Sequence, residues 1–184
     1  MNKKSNIPQK TGSQGLVKIT KTQFLKDFSI PAVQKKCRRV ATLQQAISMD
    51  MPSLAIINKQ FGDDFIQAYI EGWIVNLREF LNIGRKMTDA QTQDTAILII
   101  DQFYNITIAD VDLIFKKVKL GHFGQIYDRL DGQVILSWFN DYYGKRCDAF
   151  AEKSIQEAEK FKSDPFQRTS EPMSIIEINK KYGK

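Results

Sequence analysis

Few side chains in this chain of 184 residues could do chemistry, and their types and spacing limit what it could be. His122 is the only histidine, so no HExxH pair exists and no Cys/His set stands at zinc-ligand spacing. Cys37 and Cys147 are far apart and form no CxxC motif. A serine or cysteine nucleophile usually relies on a histidine base, yet no GxSxG elbow occurs and neither cysteine has a motif around it, while His122, between Gly121 and Phe123, reads as a turn residue. The phosphate-cradling patterns GxxxxGK[ST] and GxGxxG are also absent. Asp128, Asp131 and Asp141 are the acidic residues that a Mg²⁺-dependent nuclease would use if the fold drew them together. Each also has an ordinary role: Asp131 as a helix N-cap, Asp128 beside Arg129, and Asp141 on a helix surface. The expectation is a protein that is not an enzyme and needs no cofactor and no metal. What remains is binding chemistry, led by the cations Lys35, Lys36, Arg38 and Arg39, which could follow a phosphate backbone.

Those cations need an element to carry them. Ser29 followed by Ile30-Pro31 reads as a helix start, and the pattern predicts one helix to about Ser48, with Val33, Cys37 and Val40 inward and the four cations outward. Pro52 interrupts the chain. A short helix is expected from Ser53 to Gly62, then a long buried one from Asp63 to Asn82 carrying Phe65, Tyr69, Trp73, Leu77, Phe80 and Leu81. Thr88 with Gln91 forms a capping box for the next helix, expected to pack through Ile97, Leu98, Ile100, Phe103 and Tyr104.

The stretch from Thr107 to Phe139 organises the rest as a helix-turn-helix-like unit. Thr107 and Asp110 cap its first helix, Gly121 closes that helix, and Asp131-Gly132 opens the second, which buries Ile135, Trp138, Phe139 and Tyr142. His122, Gln125 and Arg129 are the exposed residues of the joint and the candidates for contact with a partner. The second helix has no stop after Tyr143 and runs on as a long charged extension, a candidate seam for homo-oligomers, until Ser163-Asp164-Pro165. No alternating strand pattern occurs, so the expected class is all-α: a compact multi-helix domain over 21–162, a basic arm over 1–20 and a polar tail over 163–184.

The formal net charge of +6 is unevenly spread. Residues 1–40 hold ten Lys or Arg against Asp27 alone, while the remaining 144 residues carry 17 basic and 20 acidic side chains. A basic end on a nearly neutral body is the pattern of an arm that meets nucleic acid or an acidic protein. The start of the chain lacks the apolar stretch of a secretory signal, and no run approaches a membrane span, so a cytoplasmic protein is expected.

The segment DQFYNITIADVDLIFKKVKLGHFGQIYDRLDGQVILSWFNDY, most specifically its KLGHFGQIYDRLDGQVILSWF core, resembles a family of small helical proteins from phages and mobile elements of gut bacteria. In general layout the chain also looks like phage helicase loaders and replisome organisers. The resemblance implies a DNA-replication accessory protein that binds DNA or a replicative helicase in a bacterial host cell. A structural or host-takeover interaction protein of the virion, assembling through the long last helix, is the alternative. Neither likeness transfers a catalytic residue.

Overall fold

The computed structural model describes residues 19–81, 84, 87–124 and 130–163. Among these described residues eight helices follow one another: α1 (Lys21–Phe28), α2 (Ile30–Lys36), α3 (Leu43–Ile47), α4 (Leu54–Phe61), α5 (Asp63–Leu81), α6 (Asp89–Gln102), α7 (Ile108–Lys119) and α8 (Gly132–Ser163). Among the described residues there is no β-strand, and the chain is all-α.

α7 is the centre of the molecule. Nine of its twelve residues are buried, including Asp110 and Asp112, and it packs against α2, α3, α5 and α8. Its start is fixed by the reciprocal bonds of Thr107 and Asp110. Its end is a Schellman turn: Gly121 N–H donates to Val118 O at 2.9 Å and His122 N–H to Lys117 O at 3.0 Å, with Gly121 at φ +76°. The Trp73 ring of α5 stacks on Phe115 of α7 with centroids 5.9 Å apart, and Phe139 of α8 meets Phe115 edge-on. Both tryptophans, Trp73 and Trp138, belong to the core.

Two helix starts solve their hydrogen-bonding problem by sharing. The first N–H groups of α4, on Leu54 and Ala55, donate to Ile106 O and Tyr104 O at 2.9 and 2.8 Å, while Ile108 N–H donates to Pro52 O at 3.1 Å. Donors orphaned at a helix start thereby meet carbonyls orphaned after a helix end, which locks α4 to the α6–α7 link. α1 closes another side through Phe24, whose ring lies within 5.1–5.5 Å of Phe28, Phe61, Phe65 and Tyr69.

Three sequence expectations need correction. The single helix from Pro31 to about Ser48 is two short ones, because Thr42 and Gln45 form a capping box that starts α3 afresh after the turn at 37–39. On α6 the buried face is Thr92, Thr95, Ala96, Ile99 and Ile100, so Ile97, Leu98 and Tyr104 are exposed rather than packed. The spacing of 92, 95, 96, 99 and 100 is itself helical; the two threonines are admitted because each hydroxyl donates back to the carbonyl four residues earlier. Phe80 on α5 is likewise 58% exposed, with the Lys119 ammonium 5.1 Å above its ring.

α8 begins as expected on the Asp131 N-cap, whose carboxylate accepts from Val134 N–H at 3.0 Å. It continues unbroken through Gly144 to Ser163. Of the basic arm over 1–20 and the tail over 163–184, residues 1–18 and 164–184 lie outside the described residues.

Candidate functional site

The four cations lie at the α2–α3 corner. Lys35 and Lys36 end α2, while Arg38 and Arg39 sit in the turn that follows, so they are not a stripe on one helix. All four are exposed. Lys36 is partly committed: its ammonium donates to Asp27 O at 2.9 Å and lies 4.6 Å over the Phe28 ring. Among the described residues no carboxylate pairs with Lys35, Arg38 or Arg39. Beside them an open depression of ≈ 440 Å³ is lined by Lys36, Arg39, Gln44, Gln45 and Ser48 over a floor of Val40 and Met49.

The corner is held from beneath by a residue to which no sequence motif points. Lys116, on α7, donates to Cys37 O at 2.6 Å and to Val40 O at 3.0 Å, the carbonyls on either side of Arg38 and Arg39. Its own charge faces buried Asp112, one turn back, at 3.2 Å. Burial pushes the Asp112 carboxyl above the ordinary carboxylate range, an effect that Lys116 and Lys119 oppose. Lys119 in turn donates to Asn76 at 2.7 Å, and its ammonium is pushed below the ordinary lysine range by burial. Burial with the nearby Asp112 charge also raises the Cys37 thiol to about 11, so Cys37 is a packed neutral thiol and no nucleophile at neutral pH. The i, i+4 spacing of Asp112 and Lys116 is visible in the sequence, but nothing local shows that the pair points inward.

A second buried charge group lies at the other end of α7. Asp110 accepts from Thr107, from the Tyr142 hydroxyl at 2.6 Å and from Arg146 Nε at 3.2 Å. Arg146 also reaches Asn105 O and stacks over Phe150. Burial, reinforced by the Asp110 charge, pushes the Tyr142 phenol far above its ordinary value. Every group here is spent on another, so the cluster joins α7 to α8.

The remaining candidates are not brought together. Asp131 caps α8 and Asp141 pairs with Lys145 at 2.8 Å on its surface. Ten residues of helix separate them by about 15 Å, too far to share one metal ion. Asp128 lies outside the described residues, as do Gln125 and Arg129. His122 is exposed at the end of α7, its backbone closing the Schellman turn. No helix of the described residues is long and apolar enough to cross a membrane. No protein-family model matches the chain, and neither does any curated protein or solved structure.

Proposed function

We propose that this chain is a non-enzymatic DNA-replication accessory protein of phage or mobile-element origin, cytoplasmic in its bacterial host, that contacts DNA, or a replicative helicase on DNA, through its basic end. The observation that carries the reading is the α2–α3 corner: Lys35, Arg38 and Arg39 are exposed and unpaired among the described residues, and Lys116 fixes the backbone that presents them. A fixed cationic corner suits phosphate contact, since little of its order must be created on binding.

The helix-turn-helix-like unit supports the same assignment by being occupied elsewhere. A groove-reading helix would present its N-terminal end to DNA. Here that end starts with Asp131, used as a cap, and Gly132, where an added Cβ would stand 2.5 Å from Thr95 Oγ1 of α6. The start of α8 is therefore packed against the body, and nucleic-acid contact falls to the first forty residues.

Changing Lys35, Lys36, Arg38 and Arg39 together to Gln tests the reading. Binding to duplex and single-stranded DNA should weaken sharply, and the slope of log K against log salt should flatten by roughly 0.7–0.9 for each phosphate that is no longer neutralised. Unchanged affinity in this variant would sink the proposal. The second reading, an interaction protein of the virion or of host takeover that assembles through α8, is favoured by the exposed Phe150 and Ile155 on its outer half. Self-association abolished by Ile155→Glu, with no DNA binding by the parent protein, is the outcome that would select it.

A further inference from the structure

The open depression beside the cationic corner does not stop at α3. Gln44 and Ser48, one helical turn apart, line it and also line a second depression of ≈ 350 Å³ between α3 and the outer half of α8, so the two meet there. Their chemistry differs. The first carries Lys36 and Arg39 and no acid among its described lining residues. The second carries one charge of each sign, Glu152 and Lys153, and is otherwise lined by uncharged side chains, Phe150 and Gln156 among them.

Phe150 is 42% exposed at this second depression, with the Arg146 guanidinium 4.8 Å from its ring centroid. Arg146 is itself buried and is tied to Asp110 and to Asn105 O. The ring therefore rests on a fixed cation and is open to the depression. Ile155, also exposed on this half of α8, does not line it. Hydrogen-bonding capacity is left over as well: the side-chain amides of Gln44 and Gln156 have no partner among the described residues.

Cations at one end and an aromatic ring with unpaired amides at the other suit the parts of an unpaired nucleotide, which are phosphate, base face and base edge. Val40, Met49 and Ile47 supply apolar surface along the way. A duplex suits the same surface less well. Its bases are stacked on one another with their faces closed, so it meets the cations but uses neither the ring nor the apolar floor.

We propose that the joined depressions are a binding track for single-stranded DNA, with phosphates at Lys36 and Arg39 and an unstacked base against Phe150. This rests on the DNA reading above and deepens it by naming the form of the ligand.

The test measures binding of the full chain to a fluorescein-labelled oligothymidine and to a duplex of the same length. The single strand should bind roughly ten-fold more tightly or better, a stacking contribution that the duplex cannot make. Phe150→Ala should weaken oligothymidine binding roughly five- to 100-fold, the worth of one stacked base, and leave the slope of log K against log salt unchanged because no phosphate contact is lost. Phe150→Trp should keep the affinity. Gln44→Glu, at an exposed position of α3, should weaken binding by setting a negative charge where the depressions meet. With p-benzoylphenylalanine at position 150, irradiation should cross-link the chain to oligothymidine. Equal affinity for duplex, or parent-like binding of oligothymidine by both Phe150→Ala and Gln44→Glu, would overturn the track. If the quadruple Gln variant were still impaired in that case, the DNA reading would stand without it, whereas a parent chain that binds neither form would sink both. Cross-links from position 150 to a second copy instead of the oligonucleotide would also overturn the track and select α8 as an assembly seam.

Discussion

At Gly121 one backbone angle decides what the joint after α7 tolerates. Its φ of +76° lies in the left-handed region, yet an added Cβ would meet nothing within 4 Å. Gly121→Val should therefore lose stability through backbone strain alone, by about 1–3 kcal/mol, while Gly121→Asn should lose less. Thermal melts of the two variants compare them directly, and equal melting temperatures would show that the turn is not held in this conformation. The cysteines differ just as clearly. Cys147 is exposed whereas Cys37 is buried with its thiol raised to about 11. Iodoacetamide at pH 8 should label Cys147 and leave Cys37 unmodified until denaturant is added, as peptide mass mapping would show. The native state holds the Cys37 proton to about 11 where an unfolded chain releases it near 9.0. Its stabilising contribution is thus complete below pH 9 and is lost as the pH rises through 11.

Among the elements, those with capping signals could be read from the sequence. Thr88 with Gln91, Thr107 with Asp110, Ser53 and Asp131 each open a helix at the expected place, because a cap is a local bond between residues three apart. Faces and interruptions are harder to read. The buried face of α6 includes two threonines whose hydroxyls are satisfied by their own helix, a choice that hydrophobic spacing alone does not reveal. The break between α2 and α3 is stabilised by Lys116, seventy-nine residues beyond Cys37, so the corner carrying the candidate cations is partly a tertiary product. Lys116→Met should test this. It removes two hydrogen bonds to carbonyls and leaves buried Asp112 without its nearest counter-charge, at a cost of about 3–5 kcal/mol at neutral pH. Asp112 already has a raised folded pKa, so the folded protein takes up its proton more readily than the unfolded chain. The deficit should therefore shrink as the pH falls from neutral towards the ordinary carboxylate range near 4. Urea titrations at several pH values would measure it, and a pH-independent difference would remove Asp112 from the explanation.

For the whole molecule, charge distribution and fold boundary do not coincide: α1 begins at Lys21, well inside the basic stretch. The basic surplus extends across residues 1–40, whereas the core starts within that stretch: Phe24 is 1% exposed and its ring meets four aromatic neighbours. Basicity by itself suggests an appendage, yet Phe24 and Val33 are among the buried residues and α2 packs on α7. An even lysine density therefore hides the passage from arm to body, because the lysines of α1 and α2 extend outward from helices whose other faces are apolar. Two truncations separate these parts. A chain starting at Ile19 loses Lys3, Lys4, Lys10 and Lys18 but no described core residue, and should keep its helical circular dichroism and melting temperature while its DNA affinity and salt slope decrease. A chain starting at Ser29 loses α1 and with it Phe24, whose removal from a core of this kind costs about 3–5 kcal/mol, a large fraction of the stability of an ordinary domain. It should melt much lower or fail to fold. If the second truncation melted like the first, α1 would be a peripheral helix, and the body that supports the cationic corner would begin at α2.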